Sequence, residues 1–295
     1  MTHEQPGWPL SVLAQACAQV GLDPTAARLI KFTNNAVFDL VSSPVVVRIP
    51  GSPGVAARAD KVVTIAEWLA ANNMPSVRLV EGLPQPLDIN GHKVTFWQRV
   101  PSAEMTPTGR DLGHTLRRFH SLPPPSANLP AWQPMNSIRS RVEAEDVLTP
   151  SDHAFLEAKC DEIQTALDTV AYFLEPGPIH GDAFMGNLIP SPNGPILCDF
   201  DSASHGPREW DLTPVAVGKL RFSYSTDAQA ELASAYGTDI LTWPHFATLR
   251  QLRELQLVTS VLPVIRSNPK LQAQWTHRFK SFRDGDLTAT WTTYT

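Results

Sequence analysis

Residues 179–212 read IHGDAFMGNLIPSPNGPILCDFDSASHGPREWDL. Within this stretch His180-Gly181-Asp182 is followed five residues later by Asn187, and after an eleven-residue spacer a short apolar run ends in Asp199-Phe200-Asp201. Leu188-Ile189 and Ile196-Leu197-Cys198 flank Ser191-Pro192-Asn193-Gly194, a cluster of turn formers, so the middle of the stretch reads as strand, tight turn, strand. That spacing places Asp182, Asn187 and Asp199 at the ends of two strands joined by the turn. Three oxygen side chains brought together there can hold a hard divalent cation and orient a hydroxyl. A hairpin with solvated turn acids uses the same residue types, but the joint spacing within a strand–loop–strand context favours a site.

The end of the stretch, Gly206-Pro207-Arg208-Glu209-Trp210-Asp211-Leu212, adds a third pattern. Together H-G-D-x-x-x-x-N, apolar-D-F and G-P-x-x-x-D-L resemble the catalytic region of the aminoglycoside phosphotransferase / choline kinase-like family, small-molecule kinases that share the protein-kinase fold. The resemblance implies that Asp182 is the catalytic Asp, which orients and deprotonates an acceptor hydroxyl, and that Asn187 and Asp199 are ligands of Mg²⁺. It implies that Asp211 is a structural acid accepting hydrogen bonds from backbone N–H groups of the catalytic loop. Asp201 is not set by the family pattern. It either sits near a second metal or caps the following turn as an Asx residue, and the cap is the favoured reading. His180 is expected to pack and hydrogen-bond beneath the metal loop rather than to act as a base. His120 ends an amphipathic run, where an imidazole suits a helix C-terminus.

Outward from this centre the chain reads as α+β, with the order of a bilobal protein-kinase-like fold. Helical periodicity over 9–20 stops at Gly21. Apolar strands follow at 27–32, 36–41 and 45–49, then an amphipathic helix at 58–71. Two further strands come next, near 77–81 and 92–99, with an Asn90-Gly91 turn between 86–89 and 92–99. Helices are expected near 109–121, 136–148 and 150–172, and after the catalytic region near 225–236, 244–266 and 269–283. The boundary falls near residue 100, with a β-rich N-lobe over 1–100 and a mostly helical C-lobe over 101–295.

In such a fold the turn between the first two strands, Phe32-Thr33-Asn34-Asn35-Ala36, covers the nucleotide phosphates. It lacks glycine, but Asn34 and Asn35 tolerate left-handed backbone. The third strand, VVVRIP, carries Arg48 where the family has a Lys or Arg facing the phosphates, and its planar fork suits phosphate oxygens. The next helix should hold a Glu paired with that cation. Val62 stands at the expected position, and Asp60 and Glu67 are the nearest acids. By position in the family, the backbone of Gln98 to Val100 is expected to read the base of ATP or GTP.

The chain has 295 residues, 42% hydrophobic and 18% charged, with a net charge of −5, which gives no reason to expect nucleic acid as a partner. No apolar run approaches a membrane span, and MTHEQPGWPL has no leader-like pattern. Cys17, Cys160 and Cys198 are scattered, which argues against a disulfide framework and for a cytoplasmic setting. From 212 onward six acids face nine Lys and Arg, so the acceptor is expected to be neutral or weakly cationic rather than a polycation. Acids between 143 and 168 read as a solvated helical face, and the C-terminal tryptophans as core rather than as a cation–π cradle. The sequence therefore points to a phosphotransferase moving the γ-phosphate of a nucleoside triphosphate to a small-molecule hydroxyl. The missing helix Glu keeps open a catalytically silent nucleotide-binding protein on the same fold, and nucleotidyl transfer is the third reading.

Overall fold

The structure, a computed structural model, describes residues 7–32, 34–145, 147–266 and 268–294. Thr33 of the expected phosphate-covering turn, Asp146 of the acid-rich stretch and the first six residues lie outside the described residues. In chain order the elements begin with α1 (Trp8–Val20), β1 (Arg28–Phe32), β2 (Asn35–Asp39), β3 (Val45–Pro50), the single turn α2 (Pro53–Ala56), α3 (Ala59–Ala71), β4 (Leu87–Ile89) and β5 (His92–Gln98). Next come α4 (Gly109–His120), α5 (Pro134–Glu143), α6 (Pro150–Leu167), β6 (Gly177–Ile179), β7 (Leu188–Ile189), β8 (Ile196–Leu197) and β9 (Ser204–Gly206). The chain ends with α7 (Glu209–Arg221), α8 (Ala228–Tyr236), α9 (Phe246–Thr259), the short α10 (Leu262–Ile265) and α11 (Pro269–Arg283). Among the described residues no helix is long and apolar enough to cross a membrane.

The chain divides into two compact units, one comprising residues 1–107, 122–129 and 186–203, the other 108–121, 130–185 and 204–295. The first contains an antiparallel sheet in the order β1-β2-β3-β5-β4. Burial alternates along β3 as in a half-buried strand: Val45, Val47 and Ile49 are buried while Val46 and Arg48 lie on the other face. Val12, Leu13, Ala16 and Cys17 of α1 pack into the core formed with Phe38, Val47 and Phe96. On the opposite face α3 lays Val62 and Ala66 against Trp97. Residues 77–81, expected to be a strand, reach β5 through isolated bonds, Val80 N–H to Phe96 C=O and Gln98 N–H to Arg78 C=O. The β7–β8 ribbon belongs to this unit, tied to it by Leu197 N–H on Pro75 C=O and Val77 N–H on Leu197 C=O.

The second unit is helical, with a core that gathers Ile138 and Val142 of α5, Leu156 and Ile163 of α6, and Leu252 and Leu255 of α9. Its two-stranded ribbon pairs β6 with β9, Ile179 opposite Ser204. Asp182 therefore follows a different ribbon from the one that carries Asn187 and Asp199, contrary to the two-strand arrangement read from the spacing. The helix α7 is not marked by any pattern in the sequence. That helix holds Pro214 and is buried along nearly its whole length, so it shows no apolar stripe. The helix expected over 244–266 is interrupted between α9 and α10, just ahead of Pro263, which sits in the first turn of α10.

Candidate active site

In the helical unit the loop that follows β6 and carries Asp182 is held from below by Asp211. Fully buried at 0% exposure, it accepts from His180 N–H through Oδ2 (2.7 Å) and from Gly181 N–H through Oδ1 (2.8 Å). The sequence places this carboxylate in the first turn of α7, where the helix dipole also favours an anion. Trp210 Nε1 donates to Gly181 C=O (2.8 Å), so the peptides on both sides of Gly181, which lies at φ 84°, are held. A left-handed residue is required between His180 and Asp182, and glycine adopts it without a Cβ penalty. Asp182 N–H points to Nδ1 of the buried His180 at 3.4 Å, so the imidazole is a structural partner of the loop, as expected.

His120 was missed as part of this brace. Its Nε2 lies 3.0 Å from Asp211 Oδ2 and its Nδ1 2.9 Å from the Tyr236 hydroxyl. Burial pushes the Tyr236 phenol up to about 12, so it keeps its proton. Tyr236 O–H donating to Nδ1 and Nε2–H donating to Asp211 satisfies all three groups. The H-x-x-x-x-x-H spacing of His114 and His120 gave no hint of this. The signal lies in tertiary packing of α4 against α8.

Asp182 itself is 36% exposed and takes an ion pair from Arg253 of α9, Nη1 to Oδ1 at 2.9 Å. Arg253 also donates to Gln256 (2.6 Å), and its buried Nε has no hydrogen-bond partner among the described residues. A guanidinium on this carboxylate was not anticipated beyond the general excess of basic residues after 212.

In the sheet unit, Asn187 and Asp199 leave the same end of the β7–β8 ribbon. Leu188 pairs with Leu197, and the ladder is extended by Cys198 N–H on Asn187 C=O (3.0 Å). Asp199 adopts φ 68° and ψ 69°, a left-handed conformation that costs a non-glycine residue energy and is retained where a site demands it. Cys198, whose thiol burial pushes up to about 12, stays protonated and fills the ribbon as a small apolar residue.

Arg48 rises from β3 into a pocket lined by Asn35, Thr95, Lys93, Val62 and Asp201. Its Nη2 pairs with the Asp201 carboxylate and lies 3.8 Å from Asp199 Oδ1. With the Asn35 amide oxygen turned toward it, the same nitrogen donates at 2.7 Å. Asp201 is thus an ion-pair partner of Arg48 rather than an Asx cap. Asp60 and Glu67 are exposed on α3, and the acids that pair with Arg48 among the described residues are Asp199 and Asp201 instead. Asn34 lies just ahead of β2, with its C=O accepting from Gly51 N–H (2.9 Å). In the segment after β5, Gln98 N–H is taken by Arg78 C=O and Arg99 N–H by Pro44 C=O, which leaves Val100 N–H as the open donor there among the described residues.

Among the described residues no group of three or more His, Cys, Asp or Glu side chains is arranged to hold a metal ion. The donor set at the ribbon end is an amide oxygen and a carboxylate. Such a set fits a hard cation that brings phosphate and water oxygens of its own, and suits neither zinc nor a closed protein cage.

Residues 30–255 match the phosphotransferase enzyme family, and the chain belongs to that family. No curated protein matches it in sequence. Among solved structures, the amicoumacin kinase hAmiN in complex with AMP-PNP, Ca²⁺ and amicoumacin superposes with a TM-score of 0.74 at 13% identity, covering 98% of both chains. The GDP and kanamycin complex of APH(2")-IIia gives 0.66 at 12% identity over 95% of this chain and 100% of that one. Choline kinase LicA from Streptococcus pneumoniae gives 0.64 at 12% identity over 93% and 98%. The fold is therefore kinase-like, a β-sheet N-terminal region followed by a largely helical remainder.

Proposed function

We propose that this chain transfers the γ-phosphate of a nucleoside triphosphate, ATP in the first instance, to a hydroxyl of a small molecule. The observation that carries the reading is Asp211: an acid with no exposure whose two oxygens grip consecutive backbone N–H groups immediately before Asp182. A loop held this tightly delivers one carboxylate at a set position. Asp182 orients the acceptor hydroxyl and accepts its proton as the bond to phosphorus forms. Arg48 steadies the phosphates, helped by the amides of Asn34 and Asn35, and Val100 N–H together with the Gln98 backbone reads the base. Asn187 and Asp199 would hold Mg²⁺, which neutralises charge on the phosphates when bound.

The acceptor in this reading is neutral or weakly charged. Amicoumacin, kanamycin and choline are the acceptors or bound compounds named for the similar structures. In this chain the carboxylate proposed to take the proton already has the Arg253 guanidinium at 2.9 Å. A polyammonium approaching that carboxylate meets a like charge, whereas a neutral hydroxyl does not. The test is a coupled assay of nucleoside diphosphate release over a panel of neutral polyols, amino alcohols and kanamycin, with mass analysis of the product. Gain of a single phosphoryl group supports the reading. Gain of a nucleotidyl group, or tight Mg²⁺-nucleotide binding with no product across the panel, defeats it.

A further inference from the structure

In kinases of this fold the strand cation is held by a Glu on the neighbouring helix, and both must be in place for transfer. Here that helix is α3, and the position expected for the Glu is Val62, buried against Trp97. The residue before it is Lys61. Its ammonium reaches the turn after Asp199 and donates to Asp201 C=O (2.7 Å) and Ala203 C=O (2.9 Å). The Asp201 side chain in turn faces Arg48, and both partners of that pair are largely buried, at 17% and 15% exposure. A carboxylate on α3 at this place would confront two carbonyl oxygens and a second carboxylate. The helix carries a cation, and the acid has moved to the turn.

We infer that Asp201 and Lys61 together replace the helix glutamate: Asp201 positions Arg48 for the phosphates, and Lys61 pins the backbone of the turn that carries Asp201 and follows Asp199. The signs then alternate through one connected set, Arg48 on β3, Asp201 on the turn, and Lys61 on α3. Two features make the pinning necessary. Asp199 is held in a left-handed conformation, which only surrounding structure can enforce. The turn after it, residues 200–202, is a single 3₁₀ turn, and a lysine on the carbonyls of Asp201 and of the following Ala203 supplies what a longer helix would supply itself. Lys61 is drawn from water to do this. Burial and the nearby Arg58 lower its pKa to about 8, so the interaction with the carbonyls is made against a desolvation cost. Both are positioning residues, since they act through Arg48 and through backbone.

The inference rests on the phosphotransferase reading, and its test separates the two. Calorimetry measures the affinity of the full-length chain for Mg²⁺·AMP-PNP and Mg²⁺·GMP-PNP, using wild type, Asp201→Asn, Arg48→Met, the double variant, Lys61→Met and Lys61→Arg. Asp201→Asn is expected to weaken the preferred nucleotide by about tenfold, the scale of one charge-assisted contact. In the Arg48→Met background the same change should have no further effect, because Asp201 then has nothing to position. Lys61→Met should weaken binding severalfold, and Lys61→Arg should restore most of it. A merely structural role moves the melting temperature but leaves this non-additivity absent. Additive losses at Arg48 and Asp201, or unchanged affinity in Asp201→Asn, overturn the inference while leaving the function standing. A wild-type chain with no affinity for either nucleotide overturns both.

Discussion

At the residue scale the site depends on a few carboxylates whose identical side chains do different work because of what surrounds them. Asp182 is partly exposed and meets a guanidinium, Asp199 sits on strained backbone, Asp201 faces a strand arginine, and Asp211 is met by N–H donors. Asp182→Asn keeps the shape and loses the basicity, so turnover should fall at least about a hundredfold with an unchanged circular dichroism spectrum. Near-normal kcat in that variant would remove Asp182 from the role of base. Asp211→Ala should act differently. It orphans two buried backbone donors and an imidazole, at about 1–3 kcal/mol for each group left unpaired. Urea titration should show a loss of several kcal/mol, and a variant as stable as wild type would show that the loop does not depend on this carboxylate. Lys61 allows a test by pH. Its folded pKa, lowered to about 8, is below the unfolded value of 10.5, so between those values the unfolded chain binds more protons. This group alone therefore makes stability rise as pH increases from about 8 toward 10.5. Subtracting the pH–stability curve of Lys61→Met from that of wild type should reveal that rise; a flat difference would mean the ammonium is not desolvated.

At the element scale, the brace under the loop that carries Asp182 begins with how closely α4 approaches α8. Gly109 and Gly113 of α4 face that helix, and a Cβ on Gly113 would come within 2.7 Å of both Leu232 C=O and the Ala235 side chain. Only a bare Cα fits there. The approach sets His120, at the end of α4, beside Tyr236, at the end of α8, and so beneath Asp211. Gly113→Ala gains about 1 kcal/mol in helix propensity. It should nevertheless destabilise the chain by roughly 1–3 kcal/mol, because backbone must move to admit the methyl. Chemical denaturation measures this directly, and a Gly113→Ala variant more stable than wild type would contradict the close approach. On the sheet side, the β7–β8 ribbon is only two pairs long, yet the Cys198–Asn187 bond and the links to residues 75 and 77 make it a rigid mount for Asn187 and Asp199.

At the scale of the whole molecule, the likeness to antibiotic and choline kinases spans nearly the full chain at 12–13% identity, so fold is shared while acceptor chemistry is free to differ. A ligand that binds only the folded chain must stabilise it, by about 2.7 kcal/mol at a hundred times its Kd. Mg²⁺·AMP-PNP is therefore expected to raise the melting temperature by several degrees. Asp199→Ala should abolish the part of that rise that disappears with EDTA. An equal, EDTA-sensitive rise in the variant would take Asp199 out of the metal site. For the acceptor, kcat/KM for a neutral polyol should exceed that for kanamycin, and efficient, salt-sensitive turnover of kanamycin would show the opposite preference.

The linear order of residues by itself determined the kinase-like class, because three short motifs with set spacings and the strand and helix periods around them are local properties, legible without any packing. It also singled out Asp182, Asn187, Asp199, Asp211 and Arg48 as candidate site residues. What only the tertiary structure decided is how these residues are partnered. His120 lies 91 residues from Asp211, Arg48 lies 153 from Asp201, and Lys61 lies 140 from the same turn. No local pattern encodes such pairs; they arise because helices and strands remote in sequence bury their apolar faces together. For the same reason α7 was hidden. A helix surrounded by protein on every side carries no polar stripe to reveal its period, and that burial makes it a firm support for Asp211.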